Sequence, residues 1–507
     1  MNINDILNDI DVISSRIPPE ANSIPILSLC HNSKYATPTC VFFCKRGALV
    51  DGHAYAYNAY ANGARIFVAE RELELPFDAA VIITANSSDA LKTLAVKFYG
   101  DASKDLKIIG ITGTKGKTTV AMAAYKIAIA CGIRAGYIGT NGIYYNGNSF
   151  ETANTTPDVL ELQKALYEMR EHGISTVMLE VSSQAIMQER IFGLEFDTCV
   201  FTNLYRDHVG HNEHPSFEHY RDTKKSLFSD YKIGSVIINA DSQYSTYMTE
   251  DCKVEKAITT SASGNKNCSL YASETVRMIN HGLPGISFKL NTSEDILQDR
   301  NKSHDVFIPM PGKYSVENAL MIIAVCISLG LKIDSVLKAL ASISIPGRFE
   351  TVPLKSKPNS LFVIDYAHNG ASLKAVIDAL REYSPKRIFC LFGSVGGRTF
   401  ERRRELGEVA RDNSDIIIIT SDNPDIEDPM KVIADIRSAI GNTDKPIYMI
   451  ADRGEAVKKA YMLAGDGDFV LLAGKGHEKY QLIAGKRIPF SERYILESAD
   501  FEIPVAK

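Results

Sequence analysis

The side chains best placed to do chemistry together lie in Lys107-Ile-Ile-Gly-Ile-Thr-Gly-Thr-Lys-Gly-Lys-Thr-Thr119. An apolar run, Ile108 to Ile111, leads into Gly113, Thr114, Lys115 and Gly116, and Lys117-Thr118-Thr119 then open an Ala-rich stretch that stops before Gly132. A glycine turn at a helix N-terminus offers an anion backbone N–H groups and the positive end of the helix dipole. Lys117 adds a point charge, and the Thr118 hydroxyl is a hard-oxygen donor for Mg²⁺. Together these features predict a nucleoside triphosphate site. The usual phosphate loop has four residues between its first Gly and the Gly-Lys pair. Here two residues separate Gly113 from Gly116, and five separate Gly110 from Gly116, so the motif is a variant.

A second group of polar residues follows apolar runs further along. Thr176-Val-Met-Leu-Glu180 ends in an acid followed by Val181-Ser-Ser183, and Thr198-Cys-Val-Phe201 runs into Thr202-Asn-Leu-Tyr-Arg-Asp-His208. A carboxylate at the C-terminal end of a parallel strand lies at the ligand edge of its sheet. Glu180 and His208 are therefore expected beside the phosphate loop, where both could reach Mg²⁺.

The elements that must carry these groups read as α/β throughout. Residues 1–100 mix short strands, such as Cys40–Cys44 and Ala64–Ala69, with helical stretches, and predict a small mixed α/β domain. Residues 101–346 alternate strand and helix, which implies a mostly parallel sheet covered on both faces. Residues 347–507 contain four buried strands, each emptying into a Gly-, Asp- or His-rich loop: Asp365-Tyr-Ala-His-Asn369, Gly393-Ser-Val-Gly-Gly-Arg398, Ser421-Asp-Asn-Pro-Asp425 and Gly474-Lys-Gly-His-Glu478. One such loop is ordinary turn chemistry. Four at one edge point to a ligand site on a doubly wound, Rossmann-like sheet.

Composition narrows the classes. The 507 residues carry a net charge of −5, which gives no electrostatic footprint for nucleic acid. Nine cysteines without a CxxC pair suit a reduced, cytoplasmic protein. The start lacks a signal peptide's basic and apolar regions, and the longest apolar run, Ala319 to Leu331, is too short to insert in a membrane.

The phosphate loop, Thr155-Thr-Pro157, Glu180-Val-Ser-Ser183, Thr202 to His208, Gly347-Arg-Phe-Glu350, Asp365 to His368, Asp422-Asn-Pro424 and Gly474 to Glu478, taken in this order, resemble the Mur ligase family over essentially the whole chain. The likeness is strongest to its tripeptide-forming branch. The family consists of ATP-dependent amide ligases of peptidoglycan precursor synthesis, which activate a carboxylate as an acyl phosphate for attack by an amine. The resemblance implies a monomer using ATP and Mg²⁺, with a UDP-N-acetylmuramoyl dipeptide and a free amino acid as partners. It implies that Gly113, Thr114, Lys115, Gly116, Lys117, Thr118 and Thr119 cradle the phosphates, with Asn318 at the base, Asp365 at the ribose and Arg348 at the reacting phosphate. Thr118, Glu180, His208 and a carbamylated Lys224 would hold Mg²⁺. Read from the sequence alone, Lys224 beside Lys225 is better explained as a solvated helix lysine. Ser33, Thr155, Thr156, Ser182, Gln188 and Arg190 match the sugar-nucleotide site. Arg398, Asp422, Asn423, Gly474 and Glu478 match the amino-acid pocket. The family's patterns are altered at Gln184, Tyr205, Ser315 and Arg404.

The amino acid is read from one position. Relatives that add meso-diaminopimelate carry Asp-Asn-Pro-Arg, whereas here Asp425 follows Pro424, with Glu427 and Asp428 just beyond. Acids in the pocket would attract an ammonium, so L-lysine is the expected substrate, with L-ornithine or meso-diaminopimelate as alternatives. A folylpolyglutamate-synthase-like ligase would lack a domain like residues 1–100. A non-catalytic precursor-binding protein would not need Lys117, Glu180, Lys224 and His208 together.

Overall fold

The computed structural model describes residues 1–502 apart from 48–49, 208, 211–212, 255, 294–295, 297–302, 313 and 398–399. His208 and Arg398, both expected in the site, therefore lie outside the described residues. Three sheets organise the chain, and each is built from short apolar strands alternating with helices.

The first sheet has five strands in the spatial order Val12–Arg16, Ala80–Thr84, Ile66–Ala69, Cys40–Phe43, Ser28–Cys30. Only the edge strand Val12–Arg16 is antiparallel. Its inner strands are buried along their whole length, as expected for parallel strands covered on both faces.

The central sheet has eleven strands. Its parallel core places Lys107–Thr112 directly between Thr176–Glu180 and Phe196–Phe201. Antiparallel hairpins extend both edges. Helix Lys117–Ala130 leaves the phosphate loop with almost every alanine buried, because small side chains let it lie against both the sheet and helix Ser315–Ser328. That second helix holds most of the Ala319–Leu331 run, buried in the core. Among the described residues no helix is long and apolar enough to cross a membrane.

The third sheet has the order Glu350–Thr351, Leu361–Asp365, Asp468–Ala473, Arg387–Phe392, Ile416–Thr420, Ile447–Ile450. All but the first strand are parallel. The α/β class, the mostly parallel central sheet and the doubly wound third sheet are as the sequence predicts. A small hairpin, Tyr480–Ile483 with Lys486–Pro489, forms a separate two-stranded sheet.

Candidate active site

Two glycines shape the phosphate loop. Gly113 has φ +146° and Gly116 φ +88°, in the region that L side chains avoid. A Cβ on Gly113 would lie 2.0 Å from Thr202 Oγ1, and one on Gly116 would lie 2.5 Å from Asn318 Oδ1. The loop is pinned by its neighbour: Thr114 N–H donates to the Asn203 carbonyl and Lys115 N–H to Asn203 Oδ1, both at 2.9 Å. Thr202 Oγ1 donates to the Lys115 carbonyl at 2.7 Å. Lys115 itself pairs with Asp207 at 3.1 Å. Asn203 is buried and was not singled out from the sequence, because an Asn after a strand is ordinary turn chemistry.

Lys117 folds over this loop, donating to the Gly113 carbonyl at 2.8 Å and the Thr114 carbonyl at 3.3 Å. Burial lowers its pKa to about 8, with Lys115 and Arg348 acting in the same direction and Glu180 opposing them. Glu180 is fully buried. Its Oε1 accepts from Tyr137 Oη at 2.5 Å and Thr140 N–H at 3.1 Å, and its Oε2 from Thr118 Oγ1 at 2.9 Å and Thr140 Oγ1 at 3.2 Å. Tyr137 and Thr140 carried no sequence signal; only the parallel pairing of their strand with Thr176–Glu180 brings them here.

Lys224, on helix Phe217–Ser229, is 1% exposed. Its Nζ lies 3.3 Å from Thr112 Oγ1, at the end of the phosphate-loop strand. It is therefore not a solvated helix lysine. Burial, and then the charge of Lys117, push its pKa well below the lysine range. Tyr220, one turn earlier, contacts Thr114 Oγ1 through its hydroxyl at 3.0 Å and so fixes this helix against the loop.

The residues expected at Mg²⁺ fit such an ion chemically. Thr118 Oγ1 and Glu180 Oε2 are hard oxygen donors already in contact beside the phosphate cradle. Mg²⁺ is commonly held by one or two carboxylates together with substrate phosphates. Among the described residues there is no cluster of three or more His, Cys, Asp or Glu that would make an all-protein metal cage.

Asp365, expected at the ribose, also organises the backbone around it. It is buried, and its two oxygens accept from Phe349 N–H and Ala367 N–H at 2.8 Å each. It thereby holds the Gly347–Glu350 turn, in which Phe349 has φ +45°, and Arg348 lies over the Tyr366 ring at 5.1 Å. On the sugar-nucleotide side, Thr156 Oγ1 donates to the Glu180 carbonyl at 2.8 Å and lies 3.3 Å from Ser182 Oγ. Arg190 donates to the Thr156 carbonyl and to Gln188 Oε1, both at 2.8 Å. Thr155 Oγ1 lies 3.1 Å from Thr140 Oγ1. These five residues form one connected patch beside Glu180. Ser33 is buried in the first sheet's domain, its carbonyl accepting from Asn62 Nδ2 at 2.8 Å.

Across the cleft, Asp422, Gly474 and Glu478 line a cavity of about 110 Å³ with Tyr366, His368 and Arg402. Lys475, missed in the sequence reading though inside a highlighted loop, is 1% exposed. It donates to Asn423 Oδ1 at 2.7 Å and to Glu478 Oε2 at 2.5 Å. A larger cavity of about 490 Å³, with Tyr366 and Glu478 in common with this pocket, is also lined by Thr140, Thr155, His477 and Arg487 among others.

The three acids behind the L-lysine expectation do not face that pocket. Asp425 has φ +53°, and its Oδ1 accepts from Gly485 N–H at 2.9 Å, in the turn of the Tyr480–Pro489 hairpin. Its own N–H donates to the Leu482 carbonyl at 2.9 Å. Glu427 is paired with Arg403 and accepts from Gly397 N–H at 3.0 Å. Asp428 caps helix Pro429–Ile440. Each carboxylate is committed to local architecture. Asp425→Asn should accordingly leave the ranking of amino-acid substrates unchanged within about threefold, since an amide oxygen still accepts from Gly485. A switch in the preferred amino acid would return Asp425 to the pocket.

Comparison with known proteins gives the same correction. Three family descriptions match: "Mur ligase family, catalytic domain" over residues 26–99, "Mur ligase middle domain" over 111–326 and "Mur ligase, glutamate ligase domain" over 347–476. A protein of Caldanaerobacter subterraneus subsp. tengcongensis is 36% identical over 94% of this chain and 95% of its own length. One of Clostridium botulinum is 34% identical over 99% and 100%. Both are named UDP-N-acetylmuramoyl-L-alanyl-D-glutamate--2,6-diaminopimelate ligase. A solved structure bearing that name superposes with TM-score 0.64 at 27% identity, covering 99% of each chain. The L-lysine assignment is overturned by these relatives.

Proposed function

This chain belongs to the Mur ligase family, and we propose that it joins 2,6-diaminopimelate to the glutamyl carboxylate of UDP-N-acetylmuramoyl-L-alanyl-D-glutamate, driven by ATP through an acyl phosphate. The observation that carries this reading is that Thr140, hydrogen-bonded to the Glu180 carboxylate that Thr118 also contacts, lines one cavity with Glu478, which in turn lines a second with Asp422. Residues expected at the phosphate and at the amino acid stand on separate sheets, with neighbouring cavities that have Tyr366 and Glu478 in common, and this suits a reaction that activates on one side and couples on the other.

Lys117 and Arg348 supply the charge that lets a carboxylate approach a γ-phosphate. Two unit charges 4 Å apart repel by about 4 kcal/mol at an effective dielectric of 20. Fixed cations in a closed site offset that repulsion in the transition state. Thr118, Glu180 and Lys224 as a carbamate, with His208, would hold Mg²⁺, which supplies further charge neutralisation at the phosphates. Asn318, close to Gly116, would contact the nucleotide base, and Asp365, which holds the Arg348 turn, would lie at the ribose. The Thr155, Thr156, Ser182, Gln188 and Arg190 patch, with Ser33, would orient the sugar-nucleotide peptide. Asp422, Asn423, Gly474 and Glu478, with Arg398, would receive the amino acid.

With UDP-N-acetylmuramoyl-L-alanyl-D-glutamate and ATP, phosphate release across an amino-acid panel tests the assignment. kcat/KM for 2,6-diaminopimelate should exceed that for neutral or monocarboxylate amino acids by at least about tenfold, the ~1.4 kcal/mol of a single modest contact. Equal turnover across the panel would remove diaminopimelate as the substrate.

A further inference from the structure

The amino acid proposed above differs from L-lysine by a single group, a second carboxylate at the far end of the side chain. A carboxylate taken out of water needs a cation or several donors to receive it. Among the described residues, the cationic side chains that line the two cavities are Arg402, Lys479 and Arg487. Arg487 already receives a carboxylate there. Its Nη1 donates at 2.5 Å to Oε2 of Glu151, which follows strand Asn148–Phe150 of the central sheet. Its guanidinium carbon lies 4.5 Å from the centroid of the Tyr480 ring, and Arg487, Glu151 and Tyr480 all line the larger cavity. The hairpin register sets this up: Arg487 stands opposite Leu482, which makes it a diagonal neighbour of Tyr480 on the same face. The same ring has Lys475 Nζ at 5.4 Å, and Lys475 is paired with Glu478 at 2.5 Å. One tyrosine thus connects an acid suited to an ammonium with an arginine suited to a carboxylate.

We propose that Arg487 sets the amino-acid specificity by binding the second carboxylate of 2,6-diaminopimelate in place of Glu151; the inference rests on the diaminopimelate reading above. The exchange costs little. The side chains of Arg487 and Glu151 are 61% and 58% exposed, and ion pairs so open to water contribute little to stability. A planar guanidinium can grip a carboxylate through two parallel N–H donors, and lying over Tyr480 restricts the plane it presents. L-Lysine has no group to exchange for Glu151 and leaves that pair in place. Discrimination then comes from a contact that only one of the two substrates can make.

Measuring kcat/KM for 2,6-diaminopimelate and for L-lysine side by side, with ATP and the sugar dipeptide, tests this role. In Arg487→Leu the value for diaminopimelate should fall about thirtyfold, mainly through KM, because the lost contact is one of binding. The value for L-lysine should fall by less than about threefold, which also reports a folded enzyme. Arg487→Lys should lie between, since an ammonium keeps the charge without the fork. Glu151→Gln should lower KM for diaminopimelate about threefold, because the resident carboxylate no longer competes. Equal losses for both amino acids in Arg487→Leu, the mark of a purely structural role, would overturn the proposal. So would a raised KM in Glu151→Gln, which would make the ion pair itself what the enzyme needs. Wild-type enzyme that uses both amino acids equally would remove the diaminopimelate reading, and this proposal with it. A wild-type preference that survives in Arg487→Leu would overturn this proposal alone.

Discussion

Lys117→Ala is expected to lower ATP-dependent ligation by about 10²–10³-fold, the scale on which one preorganised charge or donor at a reacting group acts. The nearby cations are poor substitutes. Lys115 is paired with Asp207, and Arg348 comes from the opposite side of the cleft over Tyr366. Lys117 alone is held over the loop by two carbonyls that a phosphate would replace. Its depressed pKa of about 8 adds a second readout. An anion beside the ammonium raises that pKa, so nucleotide binding should take up a proton from about pH 8 upward. Below about pH 7 the lysine is already charged and uptake from it should vanish. Calorimetry in buffers of differing ionisation enthalpy measures this, and the alanine variant should lose it. Ligation within tenfold of wild type in Lys117→Ala would take the loop out of the mechanism.

Lys224→Ala should be nearly inactive and partly restored by acetate or another small carboxylate. An unmodified buried lysine next to Lys117 is a second cation where Mg²⁺ and phosphate are expected. Loss of one proton gives the neutral amine, and addition of CO₂ to it forms a carbamate with release of a second proton, so that an anionic oxygen donor replaces the cation. Burial, and then the charge of Lys117, push the amine's pKa well below the lysine range, the direction that favours such an addition. Lys224→Arg should be as defective as alanine, because a guanidinium stays charged and cannot add CO₂. Intact-mass measurement under bicarbonate offers a readout apart from turnover, a gain of one carboxyl group in wild type and none in the variants. Full activity in Lys224→Ala would leave the residue a packing element of helix Phe217–Ser229.

The α/β class, the strand–turn–helix of the phosphate loop and membership of the family were all legible in the sequence. These rest on local signals: an apolar run of strand length, Gly113 and Gly116 where φ turns positive, and loops that recur in order. Such features follow from backbone sterics and from burial within a few residues, so the chain states them directly. Which side chains turn towards the ligand depends on contacts between residues far apart in the chain. Asp425 read as a pocket acid because its distant partner, the Gly485 amide, could not be foreseen. Lys224 read by itself as a surface lysine until helix Phe217–Ser229 packed against the strand ending at Thr112. Tyr137 and Thr140 reached Glu180 only through strand pairing, and Lys475 found Asn423 only when their two loops packed together. Burial decides whether a carboxylate binds substrate or an amide of its own chain, and whether a lysine is charged. Burial at these positions is a property of the packed tertiary structure.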